Sequence, residues 1–132
     1  MINTSIDNFS VGELKCKCGC GKFINDPTGL VALQAFRNYL ELEFKREIPL
    51  SVNSGTRCLK HNDSVGGADG SMHTLGKAYD VTTVALNLND LYKAAKASGL
   101  FRTVLKYNKS NFIHLDVMER PKYKTVYMVT DN

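Results

Sequence analysis

"SMHTLGKAYDV", residues 71–81, is the stretch on which the reading of this chain turns. His73 and Asp80 stand seven positions apart, with the small residues Gly76 and Ala78 between them. The second half, "AYDVT", has the character of a strand, which puts Ala78, Asp80 and Thr82 on one face. A carboxylate in the middle of an apolar strand needs a partner, because an unpaired buried charge is costly. The stretch is therefore either a turn entering a strand whose acid is satisfied locally, or one half of a metal site.

A second stretch bears on the choice. In "NFIHLDV", residues 111–117, His114 and Asp116 share a strand face with Phe112. If the two strands are neighbours, Asp80 and His114 meet side by side. His73, in the loop just before its strand, can fold over the same point. Two imidazoles and one carboxylate with an open position for water are the ligand count of a catalytic zinc site. Gly76 and Ala78 then leave room for a substrate backbone. Taken singly, each residue has an ordinary explanation as a loop histidine, a core histidine or a strand-end acid. As a set, one metal ion answers the demand for partners in both strands.

Working outward, "DPTGLVALQAFRNYLELEFKREI", residues 26–48, carries the strongest helical period. Leu30, Leu33, Phe36 or Arg37, Leu40 and Phe44 recur at three- and four-residue spacing. Asp26 caps this helix, Pro27 takes its first position and Pro49 ends it. "PLSVNSG" reads as a short strand. From Ser54 to Leu75 the chain is rich in Gly, Ser, Asn and Asp, and so long a loop is usually functional. "KAYDVTTV" is a strand, and "NDLYKAAKASG" is a helix capped by Asn89 and closed by Gly99. "FRTVLKY", "NFIHLDVM" and "YKTVYMV" are three further strand candidates. Strands that cluster late, without strict alternation with helices, predict an α+β fold with an antiparallel sheet.

The 132 residues suit a single domain, residues 1–132, with one core and no internal repeat. No apolar run approaches the ~20 residues of a membrane span. The segment "MINTSIDNFSVGEL" lacks the basic and apolar regions of a secretory signal, which predicts synthesis in a cytosol. A net charge of +4 is too mild for a dedicated nucleic-acid binder. It would still favour anionic partners such as phosphates, membrane surfaces or cell-wall polymers.

Four cysteines are present, Cys16, Cys18, Cys20 and Cys58. Three fall in "CKCGCG", which is tighter than the paired C-x-x-C knuckles of structural zinc. With Cys58 they could form a four-thiolate metal site, a metal-buffering or redox element, a small disulfide clip, or simply packing. Reduced thiols are the default where no secretory signal is read.

The stretches "SGTRCLKHNDSVGGADGSMHTLGKAYDV" and "FIHLDV" carry a resemblance. They are similar to the S-G-x-R loop with a downstream Asn, the S-x-H-x-x-G-x-A-x-D segment and the late aromatic-x-H-x-D strand of the zinc D-alanyl-D-alanine carboxypeptidase family. Phage endolysins and wall-trimming enzymes are found there, and hedgehog signalling domains share the fold. "FSVGELKCKCGCG" also resembles the start of the phage-like branch. The resemblance implies a hedgehog/DD-peptidase-like α+β fold with helices packed on one side of an antiparallel sheet. It makes His73, Asp80 and His114 ligands of Zn2+. It places Arg57 at the substrate carboxylate or the developing oxyanion, a task suited to a permanently charged fork of donors. Ser71 would contact substrate or orient the loop, and His61 would be an exposed loop histidine.

Several branches of that family carry an acid or histidine two or three residues before the last ligand. Phe112 and Asn111 occupy those positions here. Asp116 is the nearest carboxylate on the strand face. It either takes the water's proton, as a catalytic group, or holds Arg57 or a ligand histidine in place. Asp63 and Asp69 are loop acids that could swing in. The implied activity is zinc-dependent hydrolysis of peptide bonds in bacterial peptidoglycan, by a monomer with no nucleic-acid partner and no stable membrane association. It would act at the cell wall after phage-type lysis or from a virion. The alternative is a zinc-containing wall-binding module that does not cut.

Overall fold

The computed structural model describes residues 8–68, 70–119 and 124–132. Its elements in order are α1 (Val11–Leu14), α2 (Pro27–Phe44), β1 (Ser51–Ser54), α3 (Leu59–Ser64), a 3-10 turn (Met72–Leu75), β2 (Ala78–Thr82), α4 (Leu88–Ser98), β3 (Thr103–Tyr107), β4 (Phe112–Asp116) and β5 (Val126–Thr130). The strands form one sheet in the order β1-β2-β4-β3-β5. The architecture is the expected α+β one. The sheet is antiparallel except at one edge, where β5 runs parallel to β3. That edge departs from the antiparallel expectation because β5 does not follow β4 through a hairpin. The first residue of the predicted strand "YKTVYMV", Tyr123, lies outside the described residues.

Alternation divides the sheet into a dry face and a polar one. Tyr79, Val81, Val104, Ile113 and Leu115 are buried on the first. They join Leu30, Leu33, Phe36 and Leu40 of α2 and Leu91, Ala94 and Ala95 of α4 in one core. Leu33, Phe36 and Leu40 are fully buried, each worth ~1.5–3 kcal/mol of transfer free energy. Phe36 meets Phe101 edge to face, with ring centroids 5.7 Å apart. Arg37, also buried on α2, pairs with Glu41 and Glu47 at 3.3 Å each.

Helix ends follow local chemistry. The Asp26 side chain accepts the Gly29 N–H at 2.9 Å, and Pro27 begins α2 as expected. The helix ends before Pro49 does any work, because Lys45 turns left-handed at φ 55°. Asn87, not Asn89, caps α4: its side-chain oxygen accepts the Asp90 N–H at 2.8 Å, and Asn89 falls inside the first turn. The Ser54–Leu75 segment holds more regular structure than its composition predicts, namely α3 and the 3-10 turn. Among the described residues no helix is long and apolar enough to cross a membrane.

Candidate active site

Register places the polar face. In the β2–β4 pair Asp80 stands opposite His114, and Ala78 opposite Asp116. A shift between Val52 and Ser54 in β1 brings Ser54 opposite Asp80 from the other side. His73 arrives from the 3-10 turn, whose start is fixed by the Ser71 hydroxyl accepting the His73 N–H at 3.2 Å. Gly76 closes that turn in the left-handed region, at φ 70°. A Cβ there would meet Ile24 at 2.7 Å. Gly76 is thus required by the turn and by Ile24, and neither it nor the fully buried Ala78 lines the cleft. The expectation that they make room for substrate is corrected.

The three predicted ligands converge. One Asp80 oxygen, Oδ1, lies 3.2 Å from His73 Nε2 and 3.0 Å from His114 Nδ1. One donor atom from each residue lies within 4.8 Å of the others. The far side of each ring is also occupied. His73 Nδ1 is 2.8 Å from the Gly55 carbonyl, and His114 Nε2 is 2.8 Å from Asp116 Oδ2. Each ring thus stands between two acceptors, an outer one and Asp80. With its proton on the outer nitrogen each imidazole turns a lone pair inward, and three lone pairs then point at one another, an arrangement relieved by a cation or by an added proton between ring and carboxylate. Two nitrogens and one oxygen suit a divalent ion of the zinc type.

The titration behaviour of the metal-free site agrees. Burial opposes ionisation of Asp80, but hydrogen bonds from His114 and His73 outweigh it and hold the carboxyl at about 2. Burial likewise opposes a charge on His114, yet its hydrogen bonds to Asp116 and Asp80 raise it to about 9. Asp116 is lowered in turn: burial acts against it, and the His114 imidazole prevails.

Arg57 joins the cluster through the second Asp80 oxygen. Its Nη2 donates to Asp80 Oδ2 at 3.2 Å, its Nε to Ser54 Oγ at 3.1 Å and its Nη1 to Asn62 Oδ1 at 3.2 Å. Asn62, itself buried, donates to the Ala68 carbonyl at 3.0 Å. Among the described residues these bonds use three of the five guanidinium donors and leave two. The Arg57 backbone N–H also donates to the His73 carbonyl at 3.0 Å.

These groups floor a cleft of about 600 Å³ that is also lined by Ser71, Tyr107 and Phe112. Tyr107 and Phe112 stack at 4.5 Å on one wall. Burial first, and the Asp80 charge second, raise the Tyr107 phenol, which keeps it a donor. Asp116 accepts from Met118 N–H through Oδ1 at 3.2 Å while Oδ2 holds His114. Of the loop acids, Asp63 is exposed on α3 and away from the cleft, and Asp69 lies outside the described residues. His61, half-buried on α3, is not part of this group.

The structure therefore brings His73, Asp80, His114, Arg57, Ser71 and Asp116 to one cleft, and leaves Gly76, Ala78 and Asp63 outside its lining. Sequence reasoning assigned no role to Ser54, Gly55, Asn62 or Tyr107. Asn62 was visible as the Asn downstream of S-G-x-R. Tyr107 could have been found by closing "TVLKYNKSNFIHL" into a hairpin, where it pairs with Phe112. The bulge that delivers Ser54 leaves no clear trace in the sequence.

A family model described as peptidase M15 matches residues 7–116, which include every one of these residues. No curated protein matches the chain.

Proposed function

The chain belongs to the peptidase M15 family, a family of metallopeptidases, and on that premise we propose that it hydrolyses peptide bonds in the stem peptides or cross-links of bacterial peptidoglycan, with Zn2+ held by His73, Asp80 and His114. The observation that carries the proposal is the convergence of His73 Nε2, Asp80 Oδ1 and His114 Nδ1 on the floor of an open cleft. A bound divalent ion supplies Lewis acidity, polarising a scissile carbonyl and lowering the pKa of water.

The chain's own residues supply the rest. Gly55 and Asp116 each fix one imidazole so that its inward nitrogen is free to ligate. Arg57 neutralises the outer Asp80 oxygen and turns its two remaining donors to a substrate carboxylate or the oxyanion formed on attack. Ser71 orients the turn that bears His73. The Tyr107–Phe112 wall offers an apolar surface with one hydroxyl donor against the peptide. Of the two roles open to Asp116, its contacts support the positioning one, since both oxygens are engaged. A positive net charge adds attraction to an anionic wall, where we place its action.

A second reading retains the metal and binds wall peptide without cutting it. The specific observation behind it is that, among the described residues, the carboxylates of the cleft are Asp80 and Asp116, and neither is free. Mass analysis of wall peptides after incubation separates the two. Hydrolysis predicts new peptide termini that vanish with chelator and return with zinc. A released single amino acid marks a carboxypeptidase, and two peptide fragments mark an endopeptidase. Unchanged peptides in the presence of zinc would overturn the enzymatic reading, and co-sedimentation with the wall would then support the binding one.

A further inference from the structure

The four cysteines lie outside the cleft, on segments far apart in the chain. Cys16, Cys18 and Cys20 follow α1, and Cys58 precedes α3. Their sulfurs nonetheless form one group, all within 4.8 Å of one another. Cys16 Sγ is 3.5 Å from Cys18 Sγ and 3.8 Å from Cys58 Sγ, and Cys18 Sγ is 3.7 Å from Cys58 Sγ. Sulfurs about 2.3 Å from a shared tetrahedral centre would stand about 3.8 Å apart. A disulfide needs its sulfurs at about 2.05 Å, and all four thiols are free.

Packing does not account for the group. Cys16 is buried, but Cys18 and Cys20 are exposed, so burial of apolar surface cannot be what gathers them. The backbone around them is shaped to present sulfur. Gly19 and Gly21 turn at φ 93° and 77°, conformations that side chains resist, and they let Cys18 and Cys20 face back toward Cys16 and Cys58. Amide N–H groups point at three of the sulfurs. Lys22 N–H donates to Cys20 at 3.4 Å, Cys58 N–H to Cys16 at 3.4 Å and His61 N–H to Cys58 at 3.3 Å. Such bonds favour thiolate over thiol, and four thiolates around one divalent ion leave a net negative charge. Lys15, Lys17, Lys22 and Lys60 flank the cysteines in sequence and offset it.

We infer that Cys16, Cys18, Cys20 and Cys58 form a second metal site, a closed four-thiolate centre for a soft divalent ion of the zinc type, structural and separate from the cleft. With four protein ligands it has no open position for substrate. Each thiol gives up its proton to solvent as the ion binds, with no change of oxidation state. The site ties the chain following α1 to the loop that carries Arg57. The same seam is sewn by Thr56 N–H to the Leu14 carbonyl at 2.9 Å and Ile24 N–H to Thr56 Oγ1 at 3.1 Å. Arg57 is the residue before Cys58, so a centre that fixes Cys58 also fixes the backbone that aims the guanidinium.

The inference does not rest on the peptidase reading, and cobalt separates them. The full chain, reduced and metal-free, is titrated anaerobically with Co2+. The expected result is an intense sulfur-to-cobalt charge-transfer band that saturates at one equivalent and disappears when Zn2+ is added. Asp80→Asn should leave that band unchanged. Cys20→Ser, at an exposed position where folding loses no buried surface, should weaken binding at this centre at least tenfold. Zinc should also slow the reaction of the cysteines with a thiol reagent. Absence of the band in the folded wild-type chain, cysteines equally reactive with and without zinc, or intramolecular disulfides that zinc does not prevent would each overturn the inference.

Discussion

The histidine centre and the cysteine cluster gather their ligands by opposite means. Asp80 and His114 are neighbours in register on adjacent strands, so the sheet's hydrogen bonds set their spacing before any ligand is present. The cysteines sit on irregular segments between α1 and α2 and between β1 and α3, where no ladder sets distance. A site written into sheet register is preorganised, and loss of its ion should cost function more than fold. A site assembled from loops is held by the ion itself, and its loss should cost order in the segments it joins. The two meet at residues 55–58. Gly55 touches His73 through its carbonyl, and Cys58 belongs to the thiol cluster.

The largest effect is expected from Asp80→Asn. The amide removes the charge shared by both histidines and Arg57. Wall-peptide hydrolysis should fall by more than roughly 100-fold, beyond the 10–100-fold usual for residues that only support a ligand. The thiolate signal should remain. If hydrolysis survives, the preorganised site is not the catalytic one.

Asp116→Asn comes next and decides the role of that carboxylate. As the group that orients His114, its loss should lower metal affinity or activity by about 10–100-fold, and excess zinc should restore much of the activity. If Asp116 instead accepts the proton during hydrolysis, zinc affinity should hold while turnover stays low at any zinc concentration.

Gly55→Ala probes the border between the two regions. A Cβ at Gly55 would lie 2.6 Å from the Leu14 carbonyl oxygen, a backbone atom that cannot swing aside. Overpacking of this kind typically costs about 1–3 kcal/mol, read as a lower Tm. Because the same loop bears Arg57 and Cys58, both centres should bind metal more weakly. An effect on one alone would show that the border transmits nothing.

The same contrast explains what was legible in the sequence. Asp80 and His114 could be paired from strand alternation alone, because a carboxylate inside "AYDVT" and a histidine inside "FIHLDV" each demand a partner. The α2 core face could be read from its period for the same reason, with Asp26 and Pro27 marking its start. Arg57 and Ser71 came only through resemblance to a family motif, since a loop has no period to read. The parallel docking of β5 and the bulge beside Ser54 are tertiary outcomes that local pattern does not encode. The cysteines were visible as a cluster in sequence, but which contacts they make depends on folding Cys58 back across 42 positions.

The smallest effect is expected from pH, and it isolates the preorganised centre. In the metal-free protein His114 titrates at about 9, raised in the fold by Asp116 and Asp80 above its usual value. A group raised on folding contributes stability that is complete below its unfolded pKa of ~6.5. That contribution is lost as pH climbs through about 9. Asp80, lowered to about 2, contributes above the ordinary carboxylate range and loses that contribution only as pH falls through about 2. Metal-free protein should therefore lose a few degrees of Tm between pH 6.5 and 9.5. The measurement is a difference against metal-free His114→Gln, which keeps all four cysteines. The wild-type protein should lose more than the variant across that range, and Zn2+ should reduce the difference by taking the place of the proton between His114 and Asp80. Parallel profiles would mean that His114 is not held in its charged form by the two carboxylates, and that sheet register alone does not prepare the site for a cation.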